Sequence, residues 1–563
     1  MKPKNTILIL LSTLSLLTTP AVLADEITDQ VDRIFSEWDS TASPGCSLAV
    51  IKDGKIFYKR GYGMANLEHG ITNKPDSVYR IASTAKQFTA ACIALLHLRG
   101  KLDLDAGVRE YLPELSETYQ PVTVRQMVHH ISGVRDYLVL QALRGIGDDE
   151  YYTSQDALEV ISRQKALNFP QGSEYLYSNS GFFLLGEIVK RVSGTSLAEF
   201  ARENIFEPLG MNNTHFHDDC TVIVPNRATG YAPTENGFVI NETILDIVGD
   251  GGVFTTVEDM YLWDQNFYDN KLDEGLIDLI LTKGKLSSGE EITYAFGLVH
   301  GEYKGLKTVA HGGAFVGFRT AILRFPNEHF TVVCLSNLGS MDPSTLCRKV
   351  ADVYLADQFE ADTEEAEVET ADKIETVLLS KENLESCTGN YKTEDNDSFW
   401  EIAATESGLK LIRDEYQADM LPISASEFTG ELFGSELLIK FSEAGGSLTF
   451  EFHVNGVNRN DYTRYTPPVL SAAQLEEYTG DYYSEELDMV YRIESVDGKL
   501  YMRFRNAPED PLEAVTPDVF TLSSISATFS RDEGGTVSGF EVSAGRVKGI
   551  RFDKKYSSEV DSA

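Results

Sequence analysis

Arg80-Ile81-Ala82-Ser83-Thr84-Ala85-Lys86-Gln87-Phe88-Thr89-Ala90 opens an apolar helix and sets a hydroxyl and an amine three residues apart. Phe88, Cys92, Leu95 and Leu96 keep the i, i+4, i+7, i+8 spacing of one helix face, and Gly100 ends the run, so the spacing predicts a helix from Thr84 to Arg99. Ser83 then stands at the helix N-terminus, with Lys86 at i+3 on the same face. A desolvated lysine loses proton affinity and serves as a base. The helix terminus favours negative charge growing on an attacked carbonyl. Together these features give an activated hydroxyl, which covalent acyl transfer requires.

One S-x-x-K match is weak evidence. Ser162-Arg163-Gln164-Lys165 fits the pattern and reads as an exposed helix face, and Ser83 alone is equally a helix cap, with Lys86 a solvated cation. Two further signatures follow in a set order. Tyr177-Ser178-Asn179 brings a phenol whose pKa, about 10 in water, is expected to fall beside Lys86 and a second positive group. It also brings an amide able to orient Lys86 and a substrate carbonyl. Tyr268-Asp269-Asn270 shares that spacing, so this tripeptide also needs its context. His311-Gly312-Gly313 stands at the end of the strand-like run Leu306–Ala310, where paired glycines let a substrate backbone lie along the edge. The plain alternative is a strand-end turn with an incidental histidine.

Around these motifs, Cys46–Ile51, the turn Lys52-Asp53-Gly54-Lys55 and Ile56–Tyr58 read as a hairpin. Leu158–Leu167 and Phe182–Val192 read as helical. Leu306–Ala310, Arg319–Phe325 and Phe330–Leu335 read as a strand meander, followed by a helix capped by Asp342, with Pro343 in its first turn, that runs to about Phe359. Strands at both ends with helices between predict an α+β domain: one antiparallel sheet built from both termini and covered by helices. Residues 357–375 hold nine acidic residues and one lysine, a linker composition. Beyond them, Leu379-Ser380, Leu384-Glu385, Thr388-Gly389 and Tyr391 recur 91 residues later at Leu470-Ser471, Leu475-Glu476, Thr479-Gly480 and Tyr482. Two copies are too few for a solenoid, so each predicts a small all-β barrel or sandwich.

The N-terminus carries Lys2 and Lys4, an apolar stretch from Ile7 to Leu17 and a small-residue site ending at Ala24, the pattern of a cleaved export signal. The expected location is therefore periplasmic or secreted, with no stable membrane span after cleavage. At 563 residues the chain is too long for one core. Its net charge of −38 repels nucleic acid phosphates, so no nucleic acid partner is expected. The acidity itself is compatible with solubility, a saline habitat or cationic substrates. Cys46, Cys92, Cys220, Cys334, Cys347 and Cys387 include no C-x-x-C pair and read as free, mostly buried thiols. His215-Phe216-His217-Asp218-Asp219 lacks a third placed ligand, and no metal or cofactor is implied.

The set of motifs resembles the serine β-lactamase and penicillin-binding protein superfamily, in particular its class C β-lactamase, D-alanyl-D-alanine carboxypeptidase and D-aminopeptidase branch. Gly61-Tyr62-Gly63-Met64-Ala65-Asn66, Lys101-Leu102-Asp103-Leu104-Asp105, His129-His130-Ile131-Ser132-Gly133-Val134 and Gly251-Gly252-Val253-Phe254-Thr255-Thr256 extend the resemblance over residues 28–357. It implies a β-lactamase-like domain at 25–357 after a signal peptide at 1–24. An acidic linker at 358–378 then leads to lipocalin-like barrels at 379–468 and 469–557. It implies Ser83 as the acylated nucleophile, Lys86 as its partner, Tyr177 as general base and acid, and Asn179 as the orienting amide. Backbone N–H groups of Ser83 and Ala314 would form the oxyanion hole, with His311, Gly312 and Gly313 binding substrate. The chain departs from the β-lactamase pattern at His311, where lysine is usual. A mostly neutral imidazole grips a carboxylate less well. The His-x-Gly third motif resembles that of D-aminopeptidases and esterases of the superfamily, which implies small peptides, amides or esters, including D-amino-acid peptides and peptidoglycan fragments, ahead of penicillins. In the related D-aminopeptidase architecture a barrel loop reaches the catalytic cleft. A penicillin-sensing or peptidoglycan-binding protein, or a weak class C-like β-lactamase, is the alternative.

Overall fold

The computed structural model describes residues 20–555 apart from 148–149, 360–376, 395–397, 414–415, 433–434 and 455–456. The core of the expected leader and most of the acidic linker lie outside the described residues. The Asp53-Gly54 turn joins β1 (Cys46–Lys52) to β2 (Lys55–Tyr62). A second run supplies β3 (Val299–Tyr303), β4 (Leu306–Phe315), β5 (Phe318–Phe325) and β6 (Phe330–Ser336). In space the order is β3-β4-β5-β6-β1-β2. β1 lies antiparallel to β6 with Cys46 opposite Ser336, so strands far apart in sequence close one sheet.

The strand alternation explains why nearly all of β1 is buried. Cys46, Leu48 and Val50 enter one core with Val31, Phe35 and Val350, whereas Ala49 and Ile51 enter the other with Phe88 and Trp263. Helices therefore cover both faces. In chain order they include α1 (Pro20–Phe35), α2 (Lys86–Leu98), α3 (Tyr137–Leu143), α4 (Asn179–Ser193), α5 (Val257–Asp269) and α6 (Pro343–Leu355). α6 packs on β5 and β6 beside α1, while α5 packs on the opposite face against β1 and β6. The expected cleavage point after Ala24 falls inside α1.

Several boundaries differ from the sequence expectation for local reasons. Ala82–Ala85 form a 3-10 turn, and the α-helical stretch begins only at Lys86. The helix expected over Leu158–Leu167 runs instead from Ser154 to Ser162, because the Thr153 side chain caps it by accepting from Asp156 N–H. Gln164, expected on an exposed face, is fully buried and donates to Glu486 O at 3.3 Å. Asp342 does cap α6, accepting from Thr345 N–H at 3.1 Å, but the helix ends at Leu355.

The repeat yields two eight-stranded β units. The first, from Gly389–Lys392 to Val457–Tyr465, is a closed barrel. The second, from Gly480–Ser484 to Val547–Lys554, curls until the single bridge Leu500–Leu512 links its two edge strands. The repeated residues have equivalent duties. Ser380 and Ser471 cap short helices, and the buried Tyr391 and Tyr482 donate to the carbonyls of Cys387 and Tyr478, four residues back. The core of the first unit is separate, whereas that of the second is continuous with the core shared by the helices and the sheet. All six thiols are unbridged, and all but Cys220 are buried.

Candidate active site

Ser83 sits where the chain turns from a short strand at Tyr79–Arg80 into the 3-10 turn, and Ala82 just before it adopts φ +46°, a conformation costly for a residue with a Cβ. The sheet holds this turn in place. Thr320 Oγ1 donates to Ile81 O at 2.9 Å and lies 3.0 Å from Thr84 Oγ1. A Cβ on Gly313 would stand 2.3 Å from Ile81 O, so that glycine is needed for β4 to meet the turn that carries Ser83. Gly312 meets only ordinary contacts, from 3.6 Å. His311-Gly312-Gly313 lies inside β4, not at the end of a strand.

Lys86 is fully buried. Its Nζ lies 3.2 Å from Ser83 Oγ and donates to Asn179 Oδ1 at 2.9 Å and to Asp250 O at 2.6 Å. Burial lowers its pKa to about 8 and outweighs the opposing Asp250 charge, as the sequence argument expects of a desolvated lysine. With two hydrogens committed to acceptors, the lone pair of the neutral amine faces the Ser83 hydroxyl.

Asn179 is fixed in turn by Asp136. The Asp136 carboxylate accepts from Asn179 N–H at 2.7 Å, caps α3 through Leu138 N–H, and pairs with Arg546 Nη1 at 3.3 Å. Arg546 belongs to the turn between the last two strands of the second β unit, Val537–Ala544 and Val547–Lys554. Its carbonyl accepts from Asn168 Nδ2 at 2.9 Å, and its guanidinium lies 5.8 Å from the Tyr177 ring centroid. The turn therefore enters the site. Nearby, Arg135 and Glu486 form an ion pair of 2.5 Å with side chains only 2% and 5% exposed, and Asn506 Nδ2 donates to Gly145 O at 2.9 Å.

The Tyr177 ring lies 4.8 Å from Lys86 Nζ, and its oxygen is buried without a hydrogen bond among the described residues. Burial raises its pKa well above 10. The Ser83 hydroxyl and the Arg546 charge pull the other way without reversing the shift, so the expectation of a lowered phenol pKa is overturned.

His311 is 7% exposed, and burial lowers its pKa to about 4. Its Nδ1 lies 2.6 Å from Gly312 O and its Nε2 3.2 Å from Tyr294 Oη. Nδ1–H therefore donates to the carbonyl and Nε2 accepts from the phenol, leaving neither nitrogen for a ligand.

Ser83 and Ala314 both line three hollows, and Tyr177, His311, Gly312 and Gly313 line one of them. A second has the buried Asp250 in its wall. Burial raises the pKa of Asp250 despite the nearby charge of Lys86. Asp250, Asp136 and Arg546 escape the sequence reading. Asp250 precedes the recognised Gly251-Gly252 pair and Asp136 is a standard cap type, but nothing in the local sequence marks Arg546. His215 Nε2 and His217 Nδ1 meet each other at 3.3 Å, and no group of three or more metal-ligating side chains occurs among the described residues.

The beta-lactamase family model matches residues 29–354. A D-aminopeptidase of Cereibacter sphaeroides is 28% identical over 552 residues, covering 93% of this chain and 98% of that protein. A D-aminopeptidase of Gluconobacter oxydans is 33% identical over 298 residues, covering 52% and 56%. Among solved structures, the octameric penicillin-binding protein homologue from Pyrococcus abyssi superposes with a TM-score of 0.54 at 22% identity, covering 78% of this chain and 99% of that one.

Proposed function

The chain belongs to the beta-lactamase family and is a hydrolase of the serine β-lactamase-related kind, and from that premise we propose that it releases D-amino acids from amides, short peptides or esters through an acyl-enzyme on Ser83. The observation that carries this reading is the buried Lys86 amine, 3.2 Å from Ser83 Oγ with two hydrogens held by Asn179 and Asp250. Similarity to D-aminopeptidases along nearly the full chain supports the substrate class. Asp250 supports it too, as a carboxylate in the cavity wall suited to a free α-ammonium.

In this scheme neutral Lys86 takes the Ser83 proton as Oγ attacks the carbonyl carbon. The N–H groups of Ser83 and Ala314 hold the oxyanion. Tyr177, kept as a phenol by burial, donates its proton to the leaving amine or alkoxide and is reprotonated from the Lys86 ammonium. Water then attacks the acyl carbon as neutral Lys86 takes its proton, and the Oγ–acyl bond breaks with that proton passed to Ser83 Oγ, returning Ser83 and the free acid. The base is thus Lys86, with Tyr177 as proton donor.

Hydrolysis of D-alanine and L-alanine para-nitroanilides by wild type and Ser83→Ala, with intact-mass detection of the acylated protein, tests the reading. D-selective turnover that disappears in Ser83→Ala is the expected result. Equal use of both enantiomers removes the D-amino-acid assignment, and unchanged turnover by Ser83→Ala removes the nucleophile. A stable adduct with a chromogenic cephalosporin and no turnover of either anilide favours a penicillin sensor.

A further inference from the structure

The Ser83 cleft carries positive charge that the proposed chemistry does not use. Arg319, opposite Ala314 in the β4–β5 register, lines both the hollow holding Tyr177 and the one extending toward the second β unit. Its Nη1 donates to Val316 O and Phe318 O, each at 2.8 Å, which pins the guanidinium to the turn. Among the described residues Nε and Nη2 have no hydrogen-bond partner, and no carboxylate comes within ion-pair distance. Burial alone shifts the Arg319 pKa, downward, with no anion opposing it. A half-buried unpaired guanidinium is unexpected in a chain of net charge −38, where acidic side chains abound. Arg546, whose Nη1 pairs with Asp136 at 3.3 Å, also lines this hollow, and among the described residues no acidic side chain lines it. The acid lining the Tyr177 hollow, Asp342, is occupied as the cap of α6.

We propose that Arg319, assisted by Arg546, forms an anion-binding subsite for a carboxylate carried by the acyl half of the substrate. The assignment to the acyl half rests on the reading of Ser83 as nucleophile and Tyr177 as proton donor. The leaving group lies on the Tyr177 side, whereas the two-arginine hollow is lined by neither Tyr177 nor His311. His311 cannot supply this contact, since it is neutral and both its nitrogens are engaged. The cation at the end of β4 is instead Arg319, near the start of β5 and paired in register with Ala314. The substrate class is accordingly D-glutamyl or D-aspartyl amides and peptides, or esters of dicarboxylic acids. Bidentate pairing of a carboxylate with Nε and Nη2 would complete the donor set of Arg319.

Two matched substrate pairs test this: D-glutamic acid against D-glutamine α-para-nitroanilide, and nitrophenyl hemiglutarate against nitrophenyl valerate. Wild type should favour the carboxylate member of each pair by about tenfold or more in kcat/KM, carried mainly by KM. Arg319→Gln should erase that ratio, Arg319→Lys should keep part of it, and raised salt should weaken it. A ratio near one in wild type, a ratio that survives Arg319→Gln, or equal losses on both members in Arg319→Gln and Arg319→Lys overturns the subsite. An Arg319-dependent preference in the ester pair with both anilides inert supports the subsite while removing the D-amino-acid reading. If no substrate turns over, calorimetric titration of glutarate into Ser83→Ala and Ser83→Ala/Arg319→Gln decides, with binding confined to the former supporting the proposal and equal or absent binding refuting it.

Discussion

Acidification should switch the nucleophile off through Lys86. The ammonium is wholly buried and its pKa lies at about 8, so the deprotonated amine that accepts the Ser83 proton falls to about a tenth of the protein at pH 7 and about a hundredth at pH 6. The logarithm of kcat/KM should therefore climb with unit slope up to about pH 8 and then flatten. Nitrophenyl butyrate is the substrate of choice because it has no amine that titrates in this range, and rates from Ser83→Ala give the background. Tyr177 adds no inflection here, because burial holds its phenol far above neutrality. Two substitutions move the inflection in opposite directions. Arg546→Met removes a positive charge that lowers the Lys86 pKa and should carry it upward, whereas Asp250→Asn removes a negative charge that raises it and should carry it downward. A profile flat through pH 8, a unit slope continuing beyond about pH 9.5 as a phenolate base would give, or an inflection indifferent to both substitutions refutes Lys86 as the base.

The same burial has a stability signature. The folded pKa of Lys86 lies below its ordinary value of 10.5, so the unfolded chain binds the proton more tightly, and the folded protein carries a burden of about 3 kcal/mol below pH 8 that fades as pH rises toward 10.5. Urea titrations should show the stability difference between Lys86→Met and wild type shrinking by about that amount across this window, and a pH-independent difference would contradict it. At the interface, Glu486→Ala leaves the Arg135 guanidinium buried and unpaired, at a cost of about 3–5 kcal/mol. Earlier melting and faster proteolytic release of the second β unit are expected, and an unchanged melting and cleavage pattern would refute the interface reading.

Much of this was legible because local pattern and tertiary demand agree. The apolar runs of β1, β5 and β6, the Asp53-Gly54 turn and the Asp342-Pro343 cap each encode their own element. The 91-residue repeat is visible because each copy needs a serine cap and a tyrosine that reaches back to a carbonyl. Ser83, Lys86, Tyr177 and Asn179 carry a recognisable order, and the structure gathers the other three around the Lys86 amine. What escaped was whatever depends on long-range burial. Gln164 reads as polar surface until the second β unit covers it. The Tyr177 phenol reads as activated by nearby cations until its desolvation is counted. The role of Gly313 depends on the approach of Ile81 O, more than 200 residues away in sequence.

The pairing of Asp136 with Arg546 ties the environment of Asn179, and through it Lys86, to a hairpin near the far end of the chain. A ribosome has emitted Ser83 long before it reaches residue 546. Until that hairpin docks, the Asp136 carboxylate that holds Asn179 N–H lacks the Arg546 guanidinium that faces it in the folded chain.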